Sequence, residues 1–410
     1  MQTQLKNHLG RILILLVLFS FSACHNLFNN DDEEPETQYL VSYDMVRTFT
    51  PQMVELIFTE LVKQFPEMEV VQQRVEHGIL VYKITYNTEF KGETTLASGL
   101  VCVPTGDGSF PIISYQNGTN TLHSNAPSVN PNYELYVLLE TIASTGFVIS
   151  LPDYLGFGAS ETMFHPYLHK ESTVQTVLDM LRAVEELAQV RNFTLNNDLY
   201  LTGYSQGGWA TMQVQKAIED DFMGEFNLKA SAPGAGPYDL SFINDYILSR
   251  ETYSMPYYFG YLYNSLMNVE ETVPAIAEIF SAPYDSLIPT LFDGKLSGEE
   301  INAKLDTVVS NLFTENYRLN YKTDTLYKPL MEALNANSIE AWNTTVPTKI
   351  IHGKTDTWVP AAVSKAIYDD FVAKGAGSRV ELIEIPETDH VGGIVPAGLL
   401  SIGWFLELTK

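Results

Sequence analysis

The stretch Gly203-Tyr204-Ser205-Gln206-Gly207 has the pattern G-x-S-x-G and lies between an apolar run of strand type, 198–202, and a segment of helical pattern, 208–218. A serine between a buried strand and a helix must sit on a very tight turn, and the flanking glycines let neighbouring backbone approach without a Cβ clash. Such a turn presents the hydroxyl above the sheet, at a helix N-terminus. Because ordinary glycine-rich strand–helix turns carry the same pattern, the rest of the chain decides whether Ser205 is a nucleophile.

Apolar runs of strand type alternate with segments of helical pattern along most of the chain. The predicted strands are 78–89, 94–103, 110–115, 146–152, 198–202, 228–232, 347–352 and 379–385. The predicted helices are 51–65, 132–144, 172–190, 208–218, 361–374 and 397–408. The first two strands are joined by the turn Lys91-Gly92-Glu93 and predict an antiparallel hairpin. The other strands are almost wholly apolar, so the pattern predicts an α/β fold with a mainly parallel central sheet and helices on both faces.

The alternation stops between about residues 236 and 342, which are rich in Tyr and Phe and contain no clear strand. This stretch predicts a mostly helical insertion in a domain that covers 39–410. A chain of 410 residues, 45% of them hydrophobic, is long enough for one large domain with such an insertion. The aromatic residues suit broad apolar or sugar-facing surfaces, and they also suit a large core.

The N-terminal segment predicts export from the cytoplasm. Basic residues precede the apolar segment 12–21, which is short for a membrane span, and Phe21-Ser22-Ala23-Cys24 follows. Small residues before a cysteine at this point resemble a bacterial lipobox. That resemblance implies a signal peptide over 1–23, a lipidated Cys24, and anchorage in the cell envelope, at the outer membrane or surface of a Gram-negative bacterium. The alternative is an ordinary secretory signal. The acidic, polar segment 24–38 predicts a disordered tether.

The composition limits the possible partners. The chain has 24 basic and 50 acidic residues, for a formal net charge of −26, so nucleic acid is not an expected partner. Only two cysteines are present, which excludes a disulfide framework. Cys102 lies in an apolar strand and is predicted to be an inert buried thiol.

A serine nucleophile needs a base, and the base needs an acid that orients it. Asp356 follows the predicted strand 347–352, and His390 follows the predicted strand 379–385. The two residues are 34 positions apart, one strand–helix–strand unit, so both are expected at neighbouring strand ends near Ser205. The order serine, acid, histidine is the one used on this type of sheet.

Other residues could be mistaken for members of this triad. His352 lies at the end of a strand, where a packing or hydrogen-bonding role is expected. Asp389 is adjacent to His390, and its side chain should point elsewhere. Asp153 precedes the nucleophile in the chain and is predicted to be structural or to form part of the pocket. The remaining histidines lie in the N-terminal segments or before Ser205.

Acyl transfer also needs donors for the developing oxyanion. The backbone N–H of Gln206, the residue after the nucleophile, is one expected donor. The other is expected from the loop after the strand 110–115, at Gly118 or Thr119, with the N–H of Thr119 as the first choice.

The combination of Ser205, Asp356 and His390 in these contexts resembles the triad of the α/β-hydrolase superfamily. Tyr115-Gln116-Asn117-Gly118-Thr119 resembles the Y-Q-H-G-T segment of the secretory lipase and related esterase branch, with Asn117 in place of the usual histidine. Asp153-Tyr154-Leu155-Gly156-Phe157-Gly158 resembles the D-Y-x-G-x-G segment of that branch. The resemblance covers 39–410 and implies hydrolysis of carboxylic esters, with no metal or cofactor and with the insertion as a cap.

Three functions are therefore considered. The first is an esterase or lipase that acts on a small-molecule, lipid or polysaccharide ester, such as an acetylated or feruloylated polysaccharide. The second is a serine peptidase of the same fold, which needs carboxylates to hold a free substrate amine. The third is a non-catalytic surface binding module.

Overall fold

A computed structural model describes residues 35–270 and 272–409. The predicted signal peptide, Cys24 and residues 25–34 of the predicted tether lie outside this range. The described residues form one nine-stranded sheet. The strands are β1 (Leu40–Phe49), β2 (Ile79–Phe90), β3 (Glu93–Pro104), β4 (Ser109–Gln116), β5 (Val148–Pro152), β6 (Thr194–Tyr204), β7 (Asn227–Gly234), β8 (Thr348–Gly353) and β9 (Val380–Ile385).

The strand order in the sheet is β1-β2-β3-β5-β4-β6-β7-β8-β9. Strands β5, β4, β6, β7, β8 and β9 pair in parallel with their neighbours. At one edge of the sheet, β1, β2 and β3 pair in antiparallel fashion, and β3 pairs antiparallel with β5. Every residue of β5, and all but the first of β4, is buried, as expected of strands covered on both faces. The prediction of a mainly parallel sheet that opens with an antiparallel hairpin is therefore confirmed.

Helices cover both faces of this sheet. They are α1 (Pro51–Gln64), α2 (Glu69–Gln72), α3 (Glu134–Ile142), α4 (Lys170–Arg191), α5 (Gln206–Ala217), α6 (Leu240–Leu248), α7 (Tyr257–Val269), α8 (Ile276–Ile279), α9 (Tyr284–Leu287), α10 (Gly298–Asn302), α11 (Val309–Leu312), α12 (Glu315–Asn320), α13 (Lys328–Ala336), α14 (Ala361–Ala373) and α15 (Ile394–Leu408). Apolar side chains of α1, α3 and α15 form one buried cluster, and those of α4, α5 and α14 belong to a second. The fold is thus a three-layer α/β arrangement.

Several elements differ from the sequence-based prediction, and three of these differences have a clear physical reason. Strand β1 was not predicted, because it is a mostly exposed edge strand whose register shifts twice against β2, so its side chains do not alternate regularly between buried and exposed. Strand β6 begins at Thr194 rather than at 198, because the polar residues between 194 and 197 hide the strand pattern. Helix α15 begins at Ile394 rather than at 397, since Pro396 falls in the first turn, where a proline is tolerated.

The predicted insertion is mostly helical. The described residues between β7 and β8 contain the eight helices α6 to α13 and two isolated β-bridges, but no strand of the sheet. Its buried side chains join the same core cluster as α4 and α5. Hydrogen bonds fix it to the sheet domain, including those from the indole of Trp209 to the Asn337 carbonyl (2.8 Å) and from Thr121 to the Leu296 carbonyl (2.8 Å). We call this segment, 236–342, the cap.

Candidate active site

Ser205 lies on the tight turn between β6 and α5, as the G-x-S-x-G pattern predicted. Its backbone has φ 61° and ψ −122°, a conformation that is strained for a residue with a side chain. The N–H of Ser205 donates to the carbonyl of Gly234 (2.9 Å), and its carbonyl accepts from the N–H of Trp209 (3.1 Å), so the turn is held at both ends. The side chain is nearly buried, with 8% of the residue exposed.

The glycines of the motif are required by close packing against β4. A Cβ on Gly207 would lie 1.9 Å from the carbonyl oxygen of Gln116, and one on Gly203 would lie 2.5 Å from the same atom. Both distances are far below van der Waals contact, so any side chain at these positions would push α5 away from the sheet. Gly203 and Gly207 therefore allow α5 to pack close to the sheet and set the position of Ser205 at the strand ends.

His390 contacts Ser205 directly. Nε2 of His390 lies 2.9 Å from Oγ of Ser205, and Nδ1 lies 2.5 Å from Oδ2 of Asp356. Because the carboxylate accepts from Nδ1–H, Nε2 is the unprotonated nitrogen and can accept the serine proton. The three residues predicted from their strand-end positions are thus brought together in one hydrogen-bonded chain.

The carboxylate of Asp356 is buried but well supplied with donors. Oδ1 accepts from the backbone N–H groups of Trp358 (2.9 Å) and Val359 (3.1 Å), and Oδ2 accepts from His390 and from Nε2 of His352 (3.1 Å). Burial raises the pKa of Asp356, but the hydrogen bonds from the two imidazoles outweigh it, so the pKa lies below its ordinary value. Asp356 therefore stays ionised at neutral pH.

Two aromatic residues hold the imidazole of His390. Its ring centroid lies 5.3 Å from that of Tyr204 and 5.4 Å from that of Trp358. The hydroxyl of Tyr204 also donates to the carbonyl of His390 (2.8 Å). Neither residue was predicted from the sequence to contact His390, although Tyr204 lies within the G-x-S-x-G motif and Trp358 lies two positions after Asp356.

The loop predicted to supply oxyanion donors lies beside the nucleophile. A Cβ on Gly118 would stand 4.0 Å from Cβ of Ser205 and 3.3 Å from the Tyr204 carbonyl oxygen, so Gly118 allows a close approach. Within the described part of the chain, the backbone N–H groups of Thr119 and Gln206 donate to no protein acceptor. Both groups are available to a bound substrate.

His165, which was not predicted to belong to the site, holds the side chain of Gln206. Nδ1 of His165 donates to the carbonyl of Leu155 (2.7 Å), so its Nε2 accepts from the amide of Gln206 (3.0 Å). Burial lowers the pKa of His165 to about 4, and the ring stays neutral at physiological pH. Its position in the chain, before the nucleophile, gave no signal of this contact.

The residues weighed against the triad members have other partners. Asp389 is exposed, and its carboxylate accepts from the N–H of Gly392 (2.7 Å). Asp153 is buried and accepts from the hydroxyls of Ser98 and Ser128 (both 2.5 Å), which gives it the structural role that was expected. His352 has the expected hydrogen-bonding role, and its partner is the carboxylate of Asp356.

Two cavities meet at Ser205. The wide cavity has a volume of about 220 Å³ and is lined by Gly118, Thr119 and His390 among others. The small cavity has a volume of about 30 Å³ and is lined mainly by apolar side chains, most of them from the cap. Among residues 35–270 and 272–409, no group of three or more His, Cys, Asp or Glu side chains is placed to hold a metal ion.

The sheet order, the strained serine turn and the strand-end positions of the histidine and aspartate define an α/β-hydrolase fold. A family model described as secretory lipase matches residues 121–407, well over half of the chain. The chain therefore belongs to the secretory lipase family. No curated protein sequence matches it significantly.

Solved structures with the same fold are numerous. A putative hydrolase from Legionella pneumophila subsp. pneumophila str. Philadelphia 1 is 29% identical, with a TM-score of 0.80, over 90% of this chain and 98% of that one. The ligand-bound rice cell wall degrading esterase LipA from Xanthomonas oryzae is 24% identical, with a TM-score of 0.77, over 91% of this chain and 97% of that one. Candida antarctica lipase A in its closed state is 17% identical, with a TM-score of 0.63, over 88% of this chain and 81% of that one.

The family and the fold agree with the resemblance stated from the sequence, and they make the chain a carboxylic-ester hydrolase at the general level. The secretory character of the family also agrees with a protein that leaves the cytoplasm. No helix in the described ranges has both the length and the apolar content to cross a membrane.

Proposed function

We propose that this protein is a serine esterase in which Ser205, His390 and Asp356 form the catalytic triad and hydrolyse carboxylic esters through an acyl-enzyme. The observation that carries the proposal is the continuous hydrogen-bonded chain from Oγ of Ser205 through the imidazole of His390 to Oδ2 of Asp356. This geometry lets the histidine accept the serine proton while the carboxylate stabilises the resulting cation.

In the proposed reaction, Oγ of Ser205 attacks the ester carbonyl carbon as its proton passes to Nε2 of His390. The tetrahedral oxyanion accepts hydrogen bonds from the backbone N–H groups of Gln206 and of Thr119 or Gly118. The bond to the alcohol oxygen then breaks, and His390 gives its proton to that oxygen. A water molecule, activated by the same imidazole, hydrolyses the acyl-enzyme and restores Ser205.

The lining of the two cavities argues against the peptidase alternative. A peptidase that recognises a free substrate amine needs carboxylates in its pocket. The described residues that line the two cavities include no aspartate, glutamate, lysine or arginine. A neutral ester fits this lining better than a charged peptide terminus.

The wide cavity favours a hydroxylated alcohol part over a lipid. Its wall carries side-chain amides and several phenols, and Tyr133 is 44% exposed. The amide nitrogens of Asn117 and Asn120 already donate to the backbone carbonyls of Pro152 and Leu122, whereas the Asn125 side chain and the phenol oxygens can bond to substrate hydroxyls. We infer that the substrate class is an acylated sugar or polysaccharide. The similar Xanthomonas oryzae protein is a rice cell wall degrading esterase.

The proposed location follows from the N-terminal sequence. We propose that cleavage before Cys24 and lipidation of that residue anchor the enzyme to the cell envelope, with the acidic segment as a tether. A surface-held esterase would then act on polysaccharides outside the cell.

The test is a comparison of p-nitrophenyl esters with aminoacyl p-nitroanilides, using the purified mature protein and its Ser205→Ala variant. We expect turnover of esters that is lost in the variant and unchanged by EDTA. Anilide turnover with little ester turnover would support the peptidase instead. Ester turnover near wild type in Ser205→Ala would overturn the triad, and strong inhibition by EDTA would indicate a metal requirement.

A further inference from the structure

The two cavities at Ser205 differ in size and in chemistry. Ser205, Tyr258 and Trp358 line both of them, so these residues form the boundary where the ester group must lie. The remaining wall of the small cavity consists mainly of Leu, Ile, Val, Pro, Phe and Tyr side chains. One half of a substrate must therefore enter the small apolar cavity, and the other half must enter the wide polar one.

The direction of proton transfer decides which half enters which cavity. When the tetrahedral intermediate collapses, the alcohol oxygen must take a proton from Nε2 of His390. His390 lines the wide cavity and does not line the small one. The alcohol part therefore lies in the wide cavity, and the acyl chain points into the small cavity.

The small cavity limits the length of the acyl chain. One water molecule needs about 10–15 Å³ of such a cavity, so a volume of about 30 Å³ has room for about two or three non-hydrogen atoms. Counted with its carbonyl carbon, that is an acetyl or propionyl group. A feruloyl group or a fatty acyl chain is several times larger.

Buried cap side chains line the small cavity. Leu240 and Ile243 of α6 and Leu262 of α7 line it, and each is less than a tenth exposed. The wall beside Ser205 is also fixed, because the hydroxyl of Tyr253 donates to the carbonyl of Trp358 (2.8 Å). These side chains are packed from behind, so an acyl chain cannot lengthen the cavity by displacing an exposed side chain.

We propose that this enzyme is selective for short acyl groups, acetyl above all, attached to a bulky hydroxylated alcohol. The inference rests on the proposed ester hydrolysis at Ser205 and adds the class of the acyl group. It makes the enzyme a deacetylase of sugar esters rather than a feruloyl esterase or a lipase for long chains.

The test uses hexyl acetate and ethyl hexanoate, which are isomers that exchange the long chain between the alcohol and acyl sides. We expect kcat/KM for hexyl acetate to exceed that for ethyl hexanoate at least about tenfold, since one misplaced methylene in a fitted pocket already costs that much. Methyl ferulate should be cleaved no faster than ethyl hexanoate. Equal rates on the two isomers, or preference for ethyl hexanoate, would overturn the inference while leaving ester hydrolysis intact.

Variants locate the selectivity in the small cavity. Leu262→Ala should lower the ratio between the isomers about tenfold by making room for a longer acyl chain, and Ile243→Ala should act in the same direction. Leu266→Ala is the matched control, because Leu266 is buried one turn further along α7 and lines neither cavity. An unchanged ratio in folded Leu262→Ala and Ile243→Ala variants would contradict the assignment. Failure to cleave either isomer would instead overturn the proposed function.

Discussion

Nε2 of His352 lies 3.1 Å from Oδ2 of Asp356, the same carboxylate oxygen that Nδ1 of His390 contacts at 2.5 Å. Nε2 of His352 also lies 3.0 Å from the carbonyl oxygen of Val359, so it faces two acceptors and carries a proton, while Nδ1 lies 2.6 Å from the hydroxyl of Ser364. A second imidazole thus donates to the acid of the proposed triad. This contact helps a buried carboxylate stay ionised.

Loss of the His352 donor should impair the enzyme most at low pH. In His352→Leu the pKa of Asp356 should rise, because burial then has fewer hydrogen bonds to oppose it. We expect the acidic limb of the kcat/KM profile to move to higher pH and kcat to fall about tenfold. His352→Gln keeps a donor near the same position, so its acidic limb and its kcat should both lie closer to those of the wild type. An unmoved acidic limb in His352→Leu would show that this histidine only packs.

The choice of acid in the triad can be tested with two neighbouring substitutions of the same kind. Asp356→Asn should lower kcat by about 10³- to 10⁴-fold, because the amide cannot stabilise the imidazolium or hold its tautomer. Asp389→Asn should retain activity within a few-fold, since Asp389 is exposed and bonds to the N–H of Gly392. The opposite pattern in steady-state assays would reassign the acid.

The buried Glu140 should make the fold less stable as the pH rises. Burial raises the pKa of Glu140 from 4.5 to about 8, although Arg47 lies 3.0 Å away and opposes the rise. Between these pH values the native state keeps a proton that the unfolded chain has released. The free energy of unfolding should therefore fall from pH 5 to pH 8, by at most about 1.4 kcal/mol per pH unit from this one group.

Urea unfolding of Glu140→Gln at several pH values measures this contribution. The variant should lose less stability than the wild type between pH 5 and pH 8, because the amide does not titrate. Glu93→Gln, at an exposed position of the β2–β3 turn, removes the same charge and should follow the wild type. Parallel curves for wild type and Glu140→Gln would show that Glu140 is ionised in the native state.

The lipid anchor is tested by replacing either of the two cysteines. Cys24→Ala should move the protein from the membrane fraction to the soluble fraction of cells that express the full chain, because no acyl group can be attached. Cys102→Ala should leave the fractionation unchanged, since Cys102 is buried in the sheet domain. Membrane association that survives Cys24→Ala would contradict the lipobox interpretation.

The parts of this protein that were predictable from sequence are those that repeat a local pattern. Wholly apolar strands predicted the parallel sheet, and the residues just past the ends of β8 and β9 predicted where Asp356 and His390 would lie. Strand β1 was missed because an exposed edge strand with two register shifts lacks regular alternation.

The contacts that support the site were not predictable, because they join distant segments. His165 lies 41 residues before Gln206, and the hydroxyl of Tyr204 reaches the carbonyl of His390 across 186 residues. Neither pairing leaves a trace in spacing or composition. The division of the site into two cavities likewise depends on how the cap packs over the sheet, which no local pattern in 236–342 specifies.

Trapping the acyl-enzyme shows directly which residue is the nucleophile. The mature protein is mixed with p-nitrophenyl acetate, quenched with acid within the first turnovers, digested and analysed by peptide mass spectrometry. We predict an acetyl group on Ser205, and its absence from Ser205→Ala under the same conditions. Ester hydrolysis that continues with no acyl group on Ser205, or with the acyl group on another residue, would contradict the central claim that Ser205 is the nucleophile.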